Sequence, residues 1–152
     1  LDVLGDNFTN KIKKFTNYDF IFYYATPKIF RKKIENFDRK IFKDFYKYYV
    51  KRFILMCNLL DKKINKKLVV FFPSTVFIRK TPRYLKEYAK AKLIAEKLIK
   101  RLNNRFSKLK VVAIRLPKLK TDQTSEIIAS FKNENIDTMV PIIRSVISKN
   151  SL

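Results

Sequence analysis

The sequence is poor in the residues that many functional sites require. It has no His, no Trp, one Cys and one Gly among its 152 residues. The single Cys57 excludes a disulfide framework, and the lack of His excludes the usual Cys/His zinc sites and every His-based catalytic triad. We therefore predict no metal site, and acid–base chemistry has to use Tyr, Lys or carboxylate groups.

Long apolar runs are also missing. The longest ones, such as Phe53–Cys57 and Leu68–Pro73, are far shorter than the roughly 20 residues that span a bilayer. The first residues, Leu1–Asp6, lack both Met and a signal-like apolar stretch. These features predict a soluble, cytoplasmic protein that does not enter a membrane, and a chain cut from inside a larger protein.

Positive charge is what the sequence has in excess. It carries 35 Lys and Arg against 13 Asp and Glu, a formal net charge of +22, while its 47% hydrophobic residues are enough for the core of one domain over residues 1–152. Two explanations of the charge stay open. One is a face that binds a polyanion such as nucleic acid. The other, which we favour, is the composition of a strongly A+T-biased genome, because the basic residues are spread through every segment.

Short apolar stretches alternate with long amphipathic ones. The predicted strands are Tyr18–Ala25, Lys67–Phe72 and Lys110–Leu116, and the predicted helices between them are Asn36–Leu60 and Tyr84–Leu102. This order predicts an α/β fold, a parallel sheet with helices on its faces. Further helices are expected at Lys11–Phe15, at Thr124–Phe131 and at Ile136–Ser148, the last with Pro141 in its first turn.

Three residues lie where such a fold binds its ligands, beyond the carboxyl ends of the strands. Ser74 follows the second strand, and Tyr88 and Lys92 are four residues apart on the next helix, so that the phenol and the ammonium share a face. A cation at that range lowers the pKa of a Tyr toward values useful for proton transfer. The set combines a proton donor, its electrostatic tuner and a hydrogen-bond donor for a carbonyl oxygen.

On these residues the sequence resembles the short-chain dehydrogenase/reductases, whose signature is a Ser at a strand end followed by Tyr-x-x-x-Lys on the next helix. The order of the elements is similar as well. Ile114–Pro117 resembles the family's strand ending in Pro-Gly, and Thr121–Thr124 resembles the segment that closes over the nicotinamide.

The resemblance implies a reaction and a role for each residue. The reaction is NADP- or NAD-dependent reduction of a ketone or aldehyde, or its reverse. Tyr88 is implied as the acid/base, Lys92 as the pKa tuner and ribose ligand, and Ser74 as the group that polarises the carbonyl. Cofactor contacts are implied at Ala25, Lys92, Pro117 and Thr121.

The sequence departs from the family pattern where the dinucleotide phosphates bind. Its only glycine, Gly5, leaves no glycine-rich turn. The family's first two strands have no counterpart, and Leu1–Val3 matches the third. We therefore expect the catalytic half of an incomplete Rossmann-like fold that lacks the first βαβ unit, with the nucleotide-binding half in the same protein or in another chain. The long helix offers Tyr46, Tyr48 or Tyr49 where the family has a catalytic Asn.

Partners and competing functions follow from the same features. The substrate is expected to be a small carbonyl compound, and a ketoreductase acting on an acyl chain held by an acidic carrier protein suits the basic surface. The resemblance also allows a homo-oligomer. One alternative is a catalytically silent structural or interaction module of the same fold. A second is a nucleic-acid-binding domain, because aromatic and basic residues interleave over Lys43–Arg52; on a helix, the same pattern also fits a core stripe beside a solvated face.

Overall fold

A computed structural model of the chain describes residues 2–29, 36–118 and 134–150. The strands are β1 (Phe20–Phe22), β2 (Leu68–Thr75) and β3 (Leu109–Leu116), and the helices are α1 (Phe8–Ile12), α2 (Arg39–Tyr46), α3 (Phe53–Lys63), α4 (Lys86–Asn103) and α5 (Glu134–Ser148). The strands form a parallel sheet in the order β1-β2-β3. This confirms the predicted α/β class, a partial Rossmann-like fold.

The sheet is centred on β2, whose residues Leu68–Phe72 are all buried. Its side chains alternate between two layers, as strand geometry requires. Val70 and Phe72 belong to the main core with α3 and α4, whereas Val69 and Phe71 pack with residues of α5. Burial on both faces explains why this strand is apolar without a break. Within the described residues, β1 and β3 each pair on one side only.

The long helix predicted at Asn36–Leu60 is interrupted. Asp38 begins α2, where its carboxylate accepts the Lys40 and Ile41 backbone N–H groups at 2.7 and 3.0 Å. Residues Lys47–Arg52 then form a π-helix before α3 begins. Such wider turns are rare and are frequently found at functional sites.

The π-helix keeps an aromatic stripe in the core. Phe45 and Tyr49 stack with ring centroids 5.8 Å apart, and both are buried. Phe53, which is fully buried, contacts the rings of Tyr23 and Phe72 at centroid distances of 4.9 and 4.6 Å. The three lysines of the Lys43–Arg52 stretch, Lys43, Lys47 and Lys51, are exposed, and Arg52 is half-buried over the Phe8 ring. The interleaved pattern is therefore a core stripe beside a solvated face.

Several predicted bounds need correction. β1 is much shorter than Tyr18–Ala25, and β2 continues through Pro73 to Thr75, where it pairs with the last residues of β3. Pro141 lies inside α5 rather than in its first turn, because that helix begins at Glu134. The helix expected at Thr124–Phe131 lies outside the described residues.

The predicted strand at Leu1–Val3 is wrong for its described residues. Asp2 and Val3 lie in an irregular segment, where the Asp2 carboxylate accepts the Leu4 N–H at 2.9 Å. A strand needs a neighbour with which to share backbone hydrogen bonds, and none of the described strands lies beside these residues.

The turn into β3 is fixed by one carboxylate. Asp61, near the end of α3, accepts backbone N–H groups from Ser107, Lys108 and Leu109 at 3.2, 3.1 and 3.0 Å. These bonds join α3 to the start of β3. In the described part of the chain, no helix is long and apolar enough to cross a membrane.

Candidate active site

A cavity of about 390 Å³ opens at the carboxyl ends of the three strands. Parallel strands bring the loops that follow them to this one edge, and the volume is that of a small-molecule site. The lining residues used below are Ala25, Thr26, Tyr49, Ser74, Thr75, Phe77, Tyr88, Lys92, Pro117, Met139 and Ile143. Most of the wall is apolar or aromatic.

The Tyr88 phenol lies in the wall of this cavity, on the first turn of α4. It is hydrogen-bonded to the side chain of Thr75, at the end of β2. Burial raises the pKa of Tyr88, and the Thr75 bond acts in the opposite direction. The sequence predicted a pKa lowered by Lys92, and this expectation is wrong here because desolvation prevails.

Ser74, which the sequence predicted beside Tyr88, lines the same cavity. Its hydroxyl donates to Glu96 Oε1 at 2.5 Å, and Glu96 in turn pairs with Arg115 on β3 at 2.7 Å. Ser74 lies on the same face of β2 as Val70 and Phe72, toward α4, since side chains alternate along a strand. Thr75, the last residue of β2, is the one whose side chain bonds to Tyr88. Sequence reasoning did not consider Thr75, because the predicted strand stopped at Phe72, short of both hydroxyls.

The Glu96 carboxylate ties α4 to the sheet. It accepts hydrogen bonds from two nitrogens of the Arg115 guanidinium, Nε at 2.9 Å and a terminal nitrogen at 2.7 Å, and from the Ser74 hydroxyl. Its pKa is lowered: burial opposes the shift, but the bonds to Arg115 and Ser74 and the nearby positive charges outweigh it. This cluster holds the end of β2 against the helix that carries Tyr88.

Lys92 is fully enclosed one turn after Tyr88. Its Nζ donates to the Pro73 carbonyl oxygen at 2.5 Å and lies 3.8 Å from the centroid of the Tyr49 ring and 4.5 Å from that of Phe72. No carboxylate of the described residues forms an ion pair with it. Burial lowers the pKa of Lys92 to about 7, while the Glu96 charge acts in the opposite direction. Near neutral pH the amine is therefore present in both protonation states.

The predicted cofactor contacts meet at the same cavity in part. Ala25 and Pro117 both line it, whereas Thr121 lies outside the described residues. Of the three Tyr residues offered in place of the family's Asn, Tyr49 is the one that reaches the cavity. Its hydroxyl is hydrogen-bonded to the Thr26 hydroxyl. The described residues contain no cluster of three or more His, Cys, Asp or Glu side chains that could hold a metal ion.

Solved structures have the same arrangement of elements. A short-chain dehydrogenase from Salmonella enterica superposes with a TM-score of 0.72 at 15% identity, over 96% of this chain and 65% of that one. A short-chain dehydrogenase from Burkholderia cenocepacia, in complex with NADP, gives 0.74 at 8% identity over 95% and 63%. An alternative dihydrofolate reductase from Brucella suis, also with NADP, gives 0.72 at 13% identity over 100% and 66%. This chain has the short-chain dehydrogenase fold.

The resemblance predicted from sequence is thus confirmed at the level of the fold. No protein-family model and no curated protein matches the sequence. The chain spans 63–66% of the length of these three structures. The superpositions cover 95–100% of this chain, and about a third of the length of each of those proteins lies outside them.

Proposed function

We propose that this chain supplies the catalytic part of an NADP- or NAD-dependent carbonyl reductase of the short-chain type. The observation that carries the proposal is the meeting of a phenol, a hydroxyl and an amine at one apolar cavity: Tyr88, Thr75 and Lys92. NADP in two structures of the same fold supports the choice of cofactor.

The residues present fit one end of such a cofactor. Ala25, Lys92 and Pro117 line the cavity and would hold the nicotinamide ribose end. The phosphates need a glycine turn that a chain with the single Gly5 does not contain, so that contact would come from a second segment or chain. When bound, the cofactor would supply the hydride that reduces the carbonyl carbon.

Three side chains of this chain would carry out the other steps of the reaction. Tyr88 would give its proton to the carbonyl oxygen, and its raised pKa keeps the phenol protonated for that step. Thr75, hydrogen-bonded to Tyr88, would polarise the same oxygen, a role that the sequence gave to Ser74. Lys92, with its pKa lowered to about 7, would hold the ribose. In its protonated form it would also stabilise the negative charge that forms on the phenol when Tyr88 loses its proton. The apolar wall, including Phe77, Met139 and Ile143, excludes water and suits an apolar carbonyl compound.

A pair of variants in the complete protein tests the proposal. Tyr88→Phe should lower kcat by about 10² to 10⁴-fold, the usual contribution of a positioned acid. Tyr84→Phe, an exposed Tyr one turn earlier, is the matched control and should leave kcat unchanged. Equal rates for Tyr88→Phe and the parent would reject the assignment.

The same assay distinguishes the roles of the two hydroxyl groups at the end of β2, those of Thr75 and Ser74. Thr75→Val keeps the shape of the side chain but removes the hydroxyl, and should lower kcat by about 10²-fold, as loss of a preorganised donor does. Ser74→Ala should lower stability through its bond to Glu96 and leave kcat within a few-fold. The reverse pattern would restore Ser74 to the role predicted from sequence.

A catalytically silent module of the same fold is the second candidate. The lone Gly5 favours it, since this chain cannot form the phosphate-binding turn. A fluorescence titration with NADPH, using tripolyphosphate as the competitor, separates the two candidates. Saturable binding that tripolyphosphate does not displace supports the reductase, and its absence in the complete protein supports the silent module.

A further inference from the structure

Tyr49 contacts both sides of the cavity from the middle of the π-helix. It is 1% exposed, yet it belongs to the cavity wall. Its ring face lies 3.8 Å from Lys92 Nζ, its ring meets that of Tyr88 at 74° and 5.9 Å, and its hydroxyl is bonded to Thr26.

We propose that Tyr49 is a positioning residue: its ring holds the Lys92 amine at the cavity wall, and its hydroxyl fixes the loop after β1 through Thr26. The role of the ring does not depend on the reaction. The role of the hydroxyl in cofactor binding rests on the proposed function.

The ring argument starts from the surroundings of Lys92. The groups that face its amine are the rings of Tyr49, Phe72 and Tyr88, the Pro73 carbonyl and, one turn further along α4, the charge of Glu96. Without an ion-pair partner, a buried ammonium depends on weaker sources of stabilisation. The face of an aromatic ring provides one, and it is strongest where water is excluded. The closest ring is that of Tyr49.

The hydroxyl argument concerns the loop that follows β1. Thr26 bonds to Tyr49 and also donates to the Pro27 carbonyl oxygen at 3.0 Å, and it directly follows Ala25 in the cavity wall. The loop is thereby joined to the π-helix. A regular α-helix over Lys47–Arg52 would change the direction of the Tyr49 side chain. The π-helix therefore helps to place Tyr49 at this position.

The first experiment measures the protonation of Lys92 by NMR in chain labelled with ¹³C-lysine. The Lys92 signal is identified by its loss in Lys92→Arg. Tyr49→Phe keeps an electron-rich ring, whereas a trifluorinated phenylalanine at position 49 keeps the shape and removes the negative ring face. We expect the Lys92 midpoint to stay within a few tenths of a unit in Tyr49→Phe and to fall by about one unit with the fluorinated ring.

Each outcome decides the role of the ring. If the Lys92 midpoint is unchanged in both the Phe and the fluorinated variant, the proposed role of the ring is overturned, because the charge on the ring face has no effect. If the midpoint falls equally in both variants, the effect belongs to the hydroxyl, and the role of the ring is again overturned. The nearly isosteric rings avoid the cavity that Tyr49→Ala would create in the core.

The second experiment measures NADPH affinity in the complete protein. Tyr49→Phe should weaken binding about fivefold, the usual value of one hydrogen bond, and Tyr46→Phe on the same helical segment should not. Equal affinity of Tyr49→Phe and the parent would overturn the role of the hydroxyl. A parent that binds no NADPH would contradict the proposed function instead, while the NMR result would still decide the role of the ring.

Discussion

The enclosed amine of Lys92 makes a prediction about stability that needs no substrate or cofactor. Replacing it by the uncharged, similarly long Met should stabilise the folded chain at neutral pH. Burial lowers the pKa of Lys92 from 10.5 to about 7. Between those values the unfolded chain binds a proton that the folded chain does not, so stability of the parent rises with pH across this window.

The size of the effect follows from the shift. One proton contributes about 1.4 kcal/mol of unfolding free energy per pH unit where the two states differ fully in protonation. Over the range from about pH 7.5 to pH 9.5 the Lys92 contribution should therefore rise by about 2 kcal/mol. Cys57, whose pKa is raised by burial, acts with the opposite sign above its ordinary value. Because Cys57 is the same in both proteins, it cancels in their difference.

The assay is urea unfolding of the parent and of Lys92→Met, repeated over that pH range at constant ionic strength. Lys92→Met should be the more stable protein at the low end, and the two curves should converge as pH rises. Lys97→Met, an exposed Lys on the same helix, gives the effect of removing a surface amine. Parallel curves for the parent and Lys92→Met would refute the reasoning, since Lys92 would then keep its proton in the folded chain.

Two further variants test the packing that positions the site. Phe53→Ala removes a fully buried ring that contacts those of Tyr23 and Phe72 and should lower the free energy of unfolding by about 3–5 kcal/mol, measured by urea titration. A loss no larger than that of a typical surface substitution would contradict the packing described for this ring. Asp61→Ala leaves three backbone N–H groups at the start of β3 without their acceptor and should cost about 1–3 kcal/mol, against a negligible cost for the exposed neighbour Lys62→Ala.

Much of the fold could be predicted because it depends on patterns that lie close together in the chain. The continuous apolar run of β2 marks a strand buried on both faces, and the spacing of apolar residues marks α4 within two residues at each end. The interruption of the long helix could not be seen in this way. An aromatic residue at every fourth position, as at Phe45, Tyr49 and Phe53, suits an α-helix and a helix with a π-turn alike, and packing decides between them.

The sequence predicted what kind of site the chain contains, but only some of the residues that form it. Tyr88 and Lys92 follow from helical spacing, which is a local property. The choice between Ser74 and Thr75 could not be made from the sequence pattern, because both hydroxyls lie at the last two positions of β2 and both residues line the cavity. The pKa of Tyr88 depends on how much of the phenol is buried, and that is a property of the assembled core rather than of the spacing to Lys92.

The outer edge of the sheet at β3 and the excess of positive charge have opposite effects on the association of copies of this chain. The eight residues of β3 present backbone donors and acceptors on a side where no described strand pairs with them, and such an edge is a template for a strand from another molecule. Copies that each carry a net charge of +22 repel one another at low ionic strength. At physiological salt the repulsion is screened beyond about 8 Å. Ionic strength is therefore expected to control how closely the β3 edges of two copies approach one another.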